Sequence, residues 1–578
     1  MTTKIAFNQI NGMVVNVKDF GAVGDGVADD SVAVQAASDT GAAEVYFPNG
    51  TYLMEGVTFS SNTRLFGPGT IKAATAIHPE GNNPYTKNAI LVSAASNIIL
   101  DGLHLDGGIV GDITYIDIVS DATDLVSMLD IQNCTNLTLT GVTFNNIATL
   151  ATSESGAPRN EKAKKCIAYI LGCTQVLVEK CVIGDNCSVE GIGILDSSEV
   201  TVDRNYCKQT RASRRISSPV FITGADTEHV KVTDNILIGH GGSGLNLWGK
   251  SDFKVTGNTI VGRGIDFSNE GGYTVTESPR DINIIGNTID FTGTSGYVSS
   301  SVGYGVFVAG AVSYNVKNVV ARDNTITSAI TSMLFDRCDD VTAEGNRVIN
   351  SNGTSGGQGL GIASTDSLNV KILGNYVNSD TTTEFGGGVC CIYTEGSTDV
   401  LIKDNILDEA VTYLLYLNRD NTRVTVEGNI FKYANTSPTR NIFGLATACD
   451  NLILKNNQFP LLAGNVDYNS NFSSVDYLTF EDDQVIELAD DTAYVFSPPV
   501  SYYFVEISTS ANGNAGAMVH NDAALVSIYA GSAVNVTTGA LTGTDGTDAK
   551  LNVSAAGNNL YIENRLGASA FIRVKIRG

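Results

Sequence analysis

Proline is scarce in this 578-residue chain, at 11 residues against 60 glycines, and only 17% of residues are charged. That balance excludes a disordered polymer and a charged helical rod; it fits many short strands joined by tight turns. Five histidines stand far apart, at positions 78, 104, 229, 240 and 520, so no histidine-rich metal centre is expected. The ten cysteines form no C-x-x-C pairs of the zinc-site kind. Dispersed over a long chain, residues such as Cys166, Cys173, Cys181, Cys187 and Cys207 read as small apolar core residues in a reducing compartment. No apolar run approaches the length of a membrane span, and the opening MTTKIAFNQ lacks the apolar centre of a signal peptide. Positive charge is also in deficit: 36 Lys and Arg against 61 Asp and Glu give a net charge of −25. Such a surface repels nucleic acid and anionic membranes, so neither nucleic-acid binding nor membrane insertion is expected. Any acidic partner must meet a local basic patch.

What the chain has in abundance is one repeated phrase. VDRNYC (202–207), VTDNIL (232–237), VTGNTI (255–260), IIGNTI (284–289), ILGNYV (372–377), IKDNIL (402–407) and VEGNIF (426–431) share an Asn. It recurs at 205, 235, 258, 287, 324, 346, 375, 405, 429 and 457. Each unit opens with an alternating strand such as Gly305–Ala309, followed by a turn and a V-x-V-x-x-N-x-I strand pair bending at the Asn. Units this short bury no core alone and must stack on their neighbours. The strands then run parallel from rung to rung, with the Asn side chains forming a ladder at the bends. The expected fold is all-β: a right-handed parallel β-helix of about a dozen rungs. A β-sandwich array would need N-G or D-G hairpin signals between units, and few occur.

The stretch VKDFGAVGDGVADDSVAVQAASD (17–39) precedes the repeats. Its glycines permit sharp turns, Asp29 or Asp30 can cap a short helix, and Val32, Gln35 and Ala36 share one helix face. Turn and cap duties account for Asp25, Asp29 and Asp30 without a bound cation. An open solenoid end exposes apolar core and strand edge, so this helix is expected to be the lid on the first rung. After Asp483, segments such as VIELADDTAYVF, YYFVEIST and AFIRVKI read as antiparallel strands of a C-terminal sandwich. The expected parts are a segment 1–16, a cap 17–75, the β-helix 76–483 and the sandwich 484–578.

The stretch 17–39 followed by VYFPNGTY (45–52) closely resembles the start of the pectate-lyase-like β-helix of bacteriophage tailspikes and capsule depolymerases. With the rungs, the resemblance covers residues 14 to 483. It implies a homotrimer, a bacterial capsular polysaccharide as substrate, and a C-terminal β-rich domain for trimerisation or sugar binding. It also implies a virion (phage tail) location after synthesis in the host cytoplasm. The short N-terminus leaves no room for a head domain, so docking onto another tail protein through that segment is expected. No cofactor is expected. The same scaffold serves hydrolases, lyases and non-catalytic adhesins, and hydrolysis is taken as the leading expectation.

Candidate site residues are the outward positions of each first strand: Phe221 and Thr223, Asn246 and Trp248, Asp266 and Ser268, Phe307 and Ala309, Leu334 and Asp336. Aromatic faces stack on sugar rings, and carboxylates serve as acid, base or nucleophile. Asp266 and Asp336 are expected two rungs apart, about 10 Å between backbones. A carboxyl separation of about 6.5–9.5 Å suits an inverting glycosidase. Glu270 is the substitute carboxylate. Arg211, Arg214 and Arg215 form a basic cluster suited to an acidic sugar. The tripeptide at His240 resembles the G-H-G motif of polygalacturonase-like hydrolases. The pair of acids expected one rung earlier is missing from the stretch 215–220, so His240 is kept only as a substrate contact. Elimination would instead use Arg214, Arg215 and Tyr273.

Overall fold

The computed structural model describes residues 13–77, 84–109, 127–147, 166–184, 187, 190–208, 218–269, 277–291, 303–311, 313–327, 330–349, 359–379, 390–410, 413–432, 441–445, 449–458, 478–496, 502–509, 515–521, 524–557 and 559–577. The chain divides into two units, residues 1–329 and 330–578. Both are all-β apart from a single turn of 3-10 helix, Val17–Phe20, and one α-helix, Ser31–Ser38, among the described residues. No helix there is long and apolar enough to cross a membrane.

In the first unit each turn of the coil lays down three parallel strands. The first is the V-x-V strand, as in Ser198–Asp203, Glu228–Thr233 and Ser251–Thr256. Its inward residues stack in register as Val178, Val202, Val232, Val255, Ile284 and Ala321, all fully buried. The second strand follows the Asn and stacks Ile183, Cys207, Leu237, Ile260, Ile289 and Ile326. The third stacks Ile170, Ile194, Ile222, Leu247, Phe267 and Val308. No strand can hide its inner side chains until the next rung covers it, and each fully buried aliphatic then contributes roughly 1.5–3 kcal/mol. This is the right-handed parallel β-helix expected from the repeat, and the C-terminal strands below form the sandwich expected from the segments after Asp483.

The corner between first and second strands explains the repeated dipeptide. A left-handed residue precedes each Asn: Asp234 at φ 53°, Gly257 at 68°, Gly286 at 67° and Asp323 at 55°. Gly, Asp and Asn tolerate that region best, hence D-N and G-N in the sequence. The following Asn points inward as expected. Asn235 donates from Nδ2 to Asn258 Oδ1 at 2.9 Å, Asn258 to Asn287 at 2.9 Å, and Asn287 to Asn324 at 2.9 Å. The same oxygens accept the backbone N–H of the rung before, at 3.0 Å. At the corner between third and first strands, Cys134, Cys173 and Ser197 hold the equivalent place, Cys173 N–H bonding Ser197 Oγ at 3.0 Å. All ten cysteines are buried free thiols, as expected of core residues, and burial pushes Cys181 up to about 12. From second to third strand the path varies. The strand Ile236–Leu247 passes straight through and the Asn spacing is 23, whereas the spacing is 37 where 292–302 intervene.

The N-terminal cap departs from expectation in detail. Asp30 stands at the helix N-cap but makes no capping bond; its carboxylate accepts from Val23 N–H at 2.6 Å and Gly24 N–H at 3.2 Å. Asp29 takes the helix end instead, accepting from Ser31 N–H at 2.9 Å. Asp25 closes the turn through Val27 and Ala28 N–H. These backbone bonds, together with the Ser31 hydroxyl at Asp29, hold Asp25 and Asp29 below the usual carboxylate range. Gly24 admits no side chain because an added Cβ would sit 2.8 Å from the Tyr52 ring. The buried helix face is Val34, Ala37 and Ser38, not the Val32 face, and Val32 is 81% exposed. Ser38 Oγ and Gln35 fasten the helix to Thr58 on an early rung.

The second unit repeats the same coil. Its ladder runs Asn346, Asn375, Asn405, Asn429 and Asn457 with Nδ2 to Oδ1 distances of 2.9–3.0 Å. The strand Leu478–Leu488 spans residue 483: it pairs in parallel with Asp450–Lys455 at one end and antiparallel with Ala570–Arg577 along the rest. Tyr502–Thr509, Ala515–Asn521 and Ala524–Tyr529 extend this antiparallel sheet. A second sheet holds Thr492–Phe496, Asn559–Arg565, Lys550–Ala556 and Val534–Val536. The alternation of Ile572, Val574 and Ile576 inward with Phe571 and Arg573 outward is the half-buried sheet pattern.

Candidate functional site

In the first unit the third sheet presents one outward row in register: Asp130, Tyr169, Gly193, Phe221, Asn246, Asp266 and Phe307. A groove of about 600 Å³ opens at its early end beside Thr58, Leu91, Asp130 and Gln132. Asp266 sits between the inward Ile265 and Phe267, so strand alternation sends its carboxyl to the outer face. It is nevertheless only 8% exposed, like Asn246 beside it. Ser268 Oγ donates to Asp266 Oδ1 at 2.6 Å and Ser243 Oγ to Oδ2 at 3.4 Å. Next in the row, Phe307 is half-buried and stacks on Tyr304, with centroids 4.5 Å apart and rings 15° from parallel.

Two expected sugar contacts prove to be packing residues. Trp248 is 1% exposed and turns inward where the strand Ile236–Leu247 ends. Its ring lies 5.4 Å from Phe267, which stands edge-on to Phe253 at 5.0 Å. Alternation fails there because the chain leaves the sheet for the corner, so Leu247 and Trp248 both enter the core. Phe221 does lie on the outer side, but it is 4% exposed in a cluster with Tyr169 and Leu195. Thr223 and Ala309 are also buried.

Asp336 belongs to the second unit, so the expected pair does not lie within either one. Its carboxylate accepts from Arg337 and from Thr365 Oγ1 at 2.8 Å. Asp336, Thr365 and Glu395 are successive residues of one outward row, and Leu334, Ala363, Tyr393 and Tyr416 of the neighbouring row. Glu395 accepts from Tyr393 Oη, from Asn418 Nδ2 at 3.0 Å and from Arg419 Nε at 2.5 Å. Burial opposes its ionisation, but these bonds outweigh it and hold the carboxyl below its usual range. Burial and the Glu395 carboxylate together push the Tyr393 phenol well up. Tyr413 and Tyr416 stack at 4.6 Å and 9°. This cluster was not read from the sequence. Its signal is the pair of alternating strands CCIYTE (390–395) and YLLYL (413–417), with tyrosine at the same outward position.

Arg211, Arg214, Arg215, Glu270 and Tyr273 lie outside the described residues, as does the side chain of His240, whose backbone runs within Ile236–Leu247. No group of three or more His, Cys, Asp or Glu is placed to hold a metal among the described residues.

The geometry defines a β-helix with an outer face of aromatic rings and carboxyls, and comparison with known proteins agrees on the class. Residues 14–211 match the family described as rhamnogalacturonase A/epimerase, pectate lyase-like, and residues 127–320 match the right-handed β-helix region. Among individual proteins, the chain is 45% identical to mannuronan C5-epimerase AlgE2 of Azotobacter vinelandii over 69 residues, 10% of this chain and 7% of that one. It is 37% identical to the preneck appendage protein of Bacillus phage PZA over 98 residues, 16% of this chain and 11% of the other. The chain thus spans about a tenth of the length of the curated relatives it matches. Among solved structures, the tailspike protein of E. coli bacteriophage HK620 in complex with pentasaccharide aligns over 97% of this chain and 93% of its own, at 12% identity and a TM-score of 0.47.

Proposed function

We propose that this chain is a tailspike-type depolymerase that binds a bacterial capsular polysaccharide and cleaves it by glycosidic hydrolysis. The observation that carries the reading is the adjacency of Asp266 and Phe307 in one outward row. The carboxyl is held by two serine hydroxyls, and the half-buried ring beside it is stacked on Tyr304. A flat apolar platform for a sugar next to a positioned carboxyl is the equipment of acid–base cleavage at an anomeric bond. In this proposal Asp266 handles the proton and Glu270, four residues on, supplies the second carboxylate. Asn246 binds sugar hydroxyls from the adjoining rung, and Arg211, Arg214 and Arg215 attract an acidic substrate. Asp336, engaged by Arg337 and Thr365, takes no proton-handling part. A homotrimer on the virion, joined to another tail protein through the N-terminal segment, completes the proposal.

A second reading, elimination at a uronate, is favoured by the match to a mannuronan C5-epimerase, with Arg214, Arg215 and Tyr273 as its groups. The products separate the two. Purified capsules incubated with the protein should yield new reducing ends without the ultraviolet absorbance of an unsaturated uronate. Asp266→Asn should keep fold and binding yet lose about two or more decades of kcat. Wild-type turnover in that variant would remove Asp266 from the chemistry. Unchanged polymer length on every capsule tried would turn the reading toward an adhesin.

A further inference from the structure

The tyrosine cluster belongs to the second unit, whereas Asp266 belongs to the first. Tyr393 and Tyr416 are neighbours in one outward row, with ring centroids 5.8 Å apart, and Tyr413 stacks on Tyr416. The residue after Tyr416 in that row is Gly444, so that position of the row carries no side chain. At the row's edge Glu395 gathers three donors. Asn418 Nδ2 reaches both Glu395 at 3.0 Å and Tyr393 Oη at 2.6 Å, and Arg419 is tied through Nε alone. Among the described residues Glu395 is the one hydrogen-bonding partner of the Arg419 side chain, which is 68% exposed. Its Nε is therefore held by Glu395, while its two terminal nitrogens have no protein acceptor among the described residues.

We propose that Tyr413, Tyr416, Asn418 and Arg419, underlain by the buried Tyr393 that packs with Leu360, Ala363 and Cys390, and ordered by Glu395, form a binding subsite for a carboxylated sugar of an acidic polysaccharide. The apolar face of a pyranose covers Tyr416 in the space left by Gly444, and its carboxylate takes the terminal nitrogens of Arg419, which match a carboxylate's geometry. Asn418, whose Nδ2 hydrogens go to Glu395 and Tyr393, offers its Oδ1 as acceptor to the ring hydroxyls. Glu395 is a positioning residue: with its oxygens occupied, it holds the donors rather than touching the sugar. The inference rests on the reading of the chain as polysaccharide-directed, but it does not need hydrolysis at Asp266.

The test is affinity electrophoresis of the full chain in native gels containing polygalacturonate, hyaluronan or neutral dextran. The wild type should be retarded by at least one acidic polymer and not by dextran. Tyr416→Ala and Arg419→Gln should each weaken that retardation about tenfold, the scale of one lost aromatic or charged contact. Tyr416→Phe should retain it, and added salt should erode the Arg419-dependent part. Arg419 is at the surface, so Arg419→Gln stays informative even if Tyr416→Ala fails to fold. No retardation by either acidic polymer, equal retardation by dextran, or full retardation of Arg419→Gln would overturn the subsite. Asp266→Asn separates the two proposals. Retardation that depends on Arg419 in a protein that cleaves nothing leaves the subsite standing and hydrolysis refuted. Cleavage lost in Asp266→Asn beside unaltered retardation of Arg419→Gln gives the reverse.

Discussion

The asparagine corner and the outer face of the third sheet repeat on the same rungs, yet they obey different rules. At the corner the turns from Asn205 onward are alike: a left-handed residue, an inward Asn, and an amide chain with bonds of 2.9–3.0 Å. On the outer face of the first unit the successive residues differ: Phe221, Asn246, Asp266 and Phe307 follow one another in register. The corner is buried and must satisfy its own polar groups, so each Asn is constrained by the rungs on either side. The outer face carries no such demand between rungs, and residues there are free to vary with whatever they contact. Regularity therefore marks what holds the coil together, and its interruption marks where residues are free of that duty.

That contrast can be broken from either side. The largest expected effect is Trp248→Ala. A fully buried indole packed on Phe267 should cost about 3–5 kcal/mol of stability when removed, seen as a lowered unfolding midpoint by circular dichroism. An unchanged midpoint with a raised KM would instead return Trp248 to the sugar. Close behind is Asn258→Ala. It leaves the Asn235 backbone N–H and the Val232 carbonyl without the partners they now have. At roughly 1–3 kcal/mol for each stranded buried group, the loss should exceed about 2 kcal/mol in the same measurement. A stability near that of wild type would show the ladder to be ornamental.

On the outer face the effects should be kinetic. Phe307→Ala should raise KM up to about tenfold with kcat little changed, since stacking helps ground and transition states alike. Its midpoint should move little, because the ring is only half-buried. Stability lost without a change in KM would place Phe307 with the packing residues.

The smallest effect concerns the cap. Asp25 and Asp29 are held below their ordinary value of 3.8 by hydrogen bonds at the first turn and the helix end. A carboxyl depressed in the folded state lends stability above that value and loses it as the pH falls through the folded pKa. Lowering the pH below about 4 should thus speed hydrogen exchange at Val27 and Ala28, which donate to Asp25, before it affects the rungs. Equal protection of both regions as the pH falls well below about 4 would refute it.

The sequence by itself determined the coil. D-N and G-N at rung intervals encode a left-handed step and an inward amide, and V-x-V encodes the wall that precedes them. Both signals are local and repeated, so they survive without knowledge of the neighbours. The tertiary structure decided what the outer residues do. Alternation placed Asp266 outward correctly, but it also placed Trp248 outward, where the corner turns that ring into the core. It named Phe221 as a sugar contact, although an apolar cluster on the outside of the sheet covers it. Tyr393, Tyr413, Tyr416 and Arg419 passed unnoticed because they stand on two separate rungs. Only stacking at parallel-strand distance brings their rings and Glu395 together. Period-two patterning tells which side of a strand a residue leaves from; what waits on that side is a property of neighbouring rungs, and no single strand carries it.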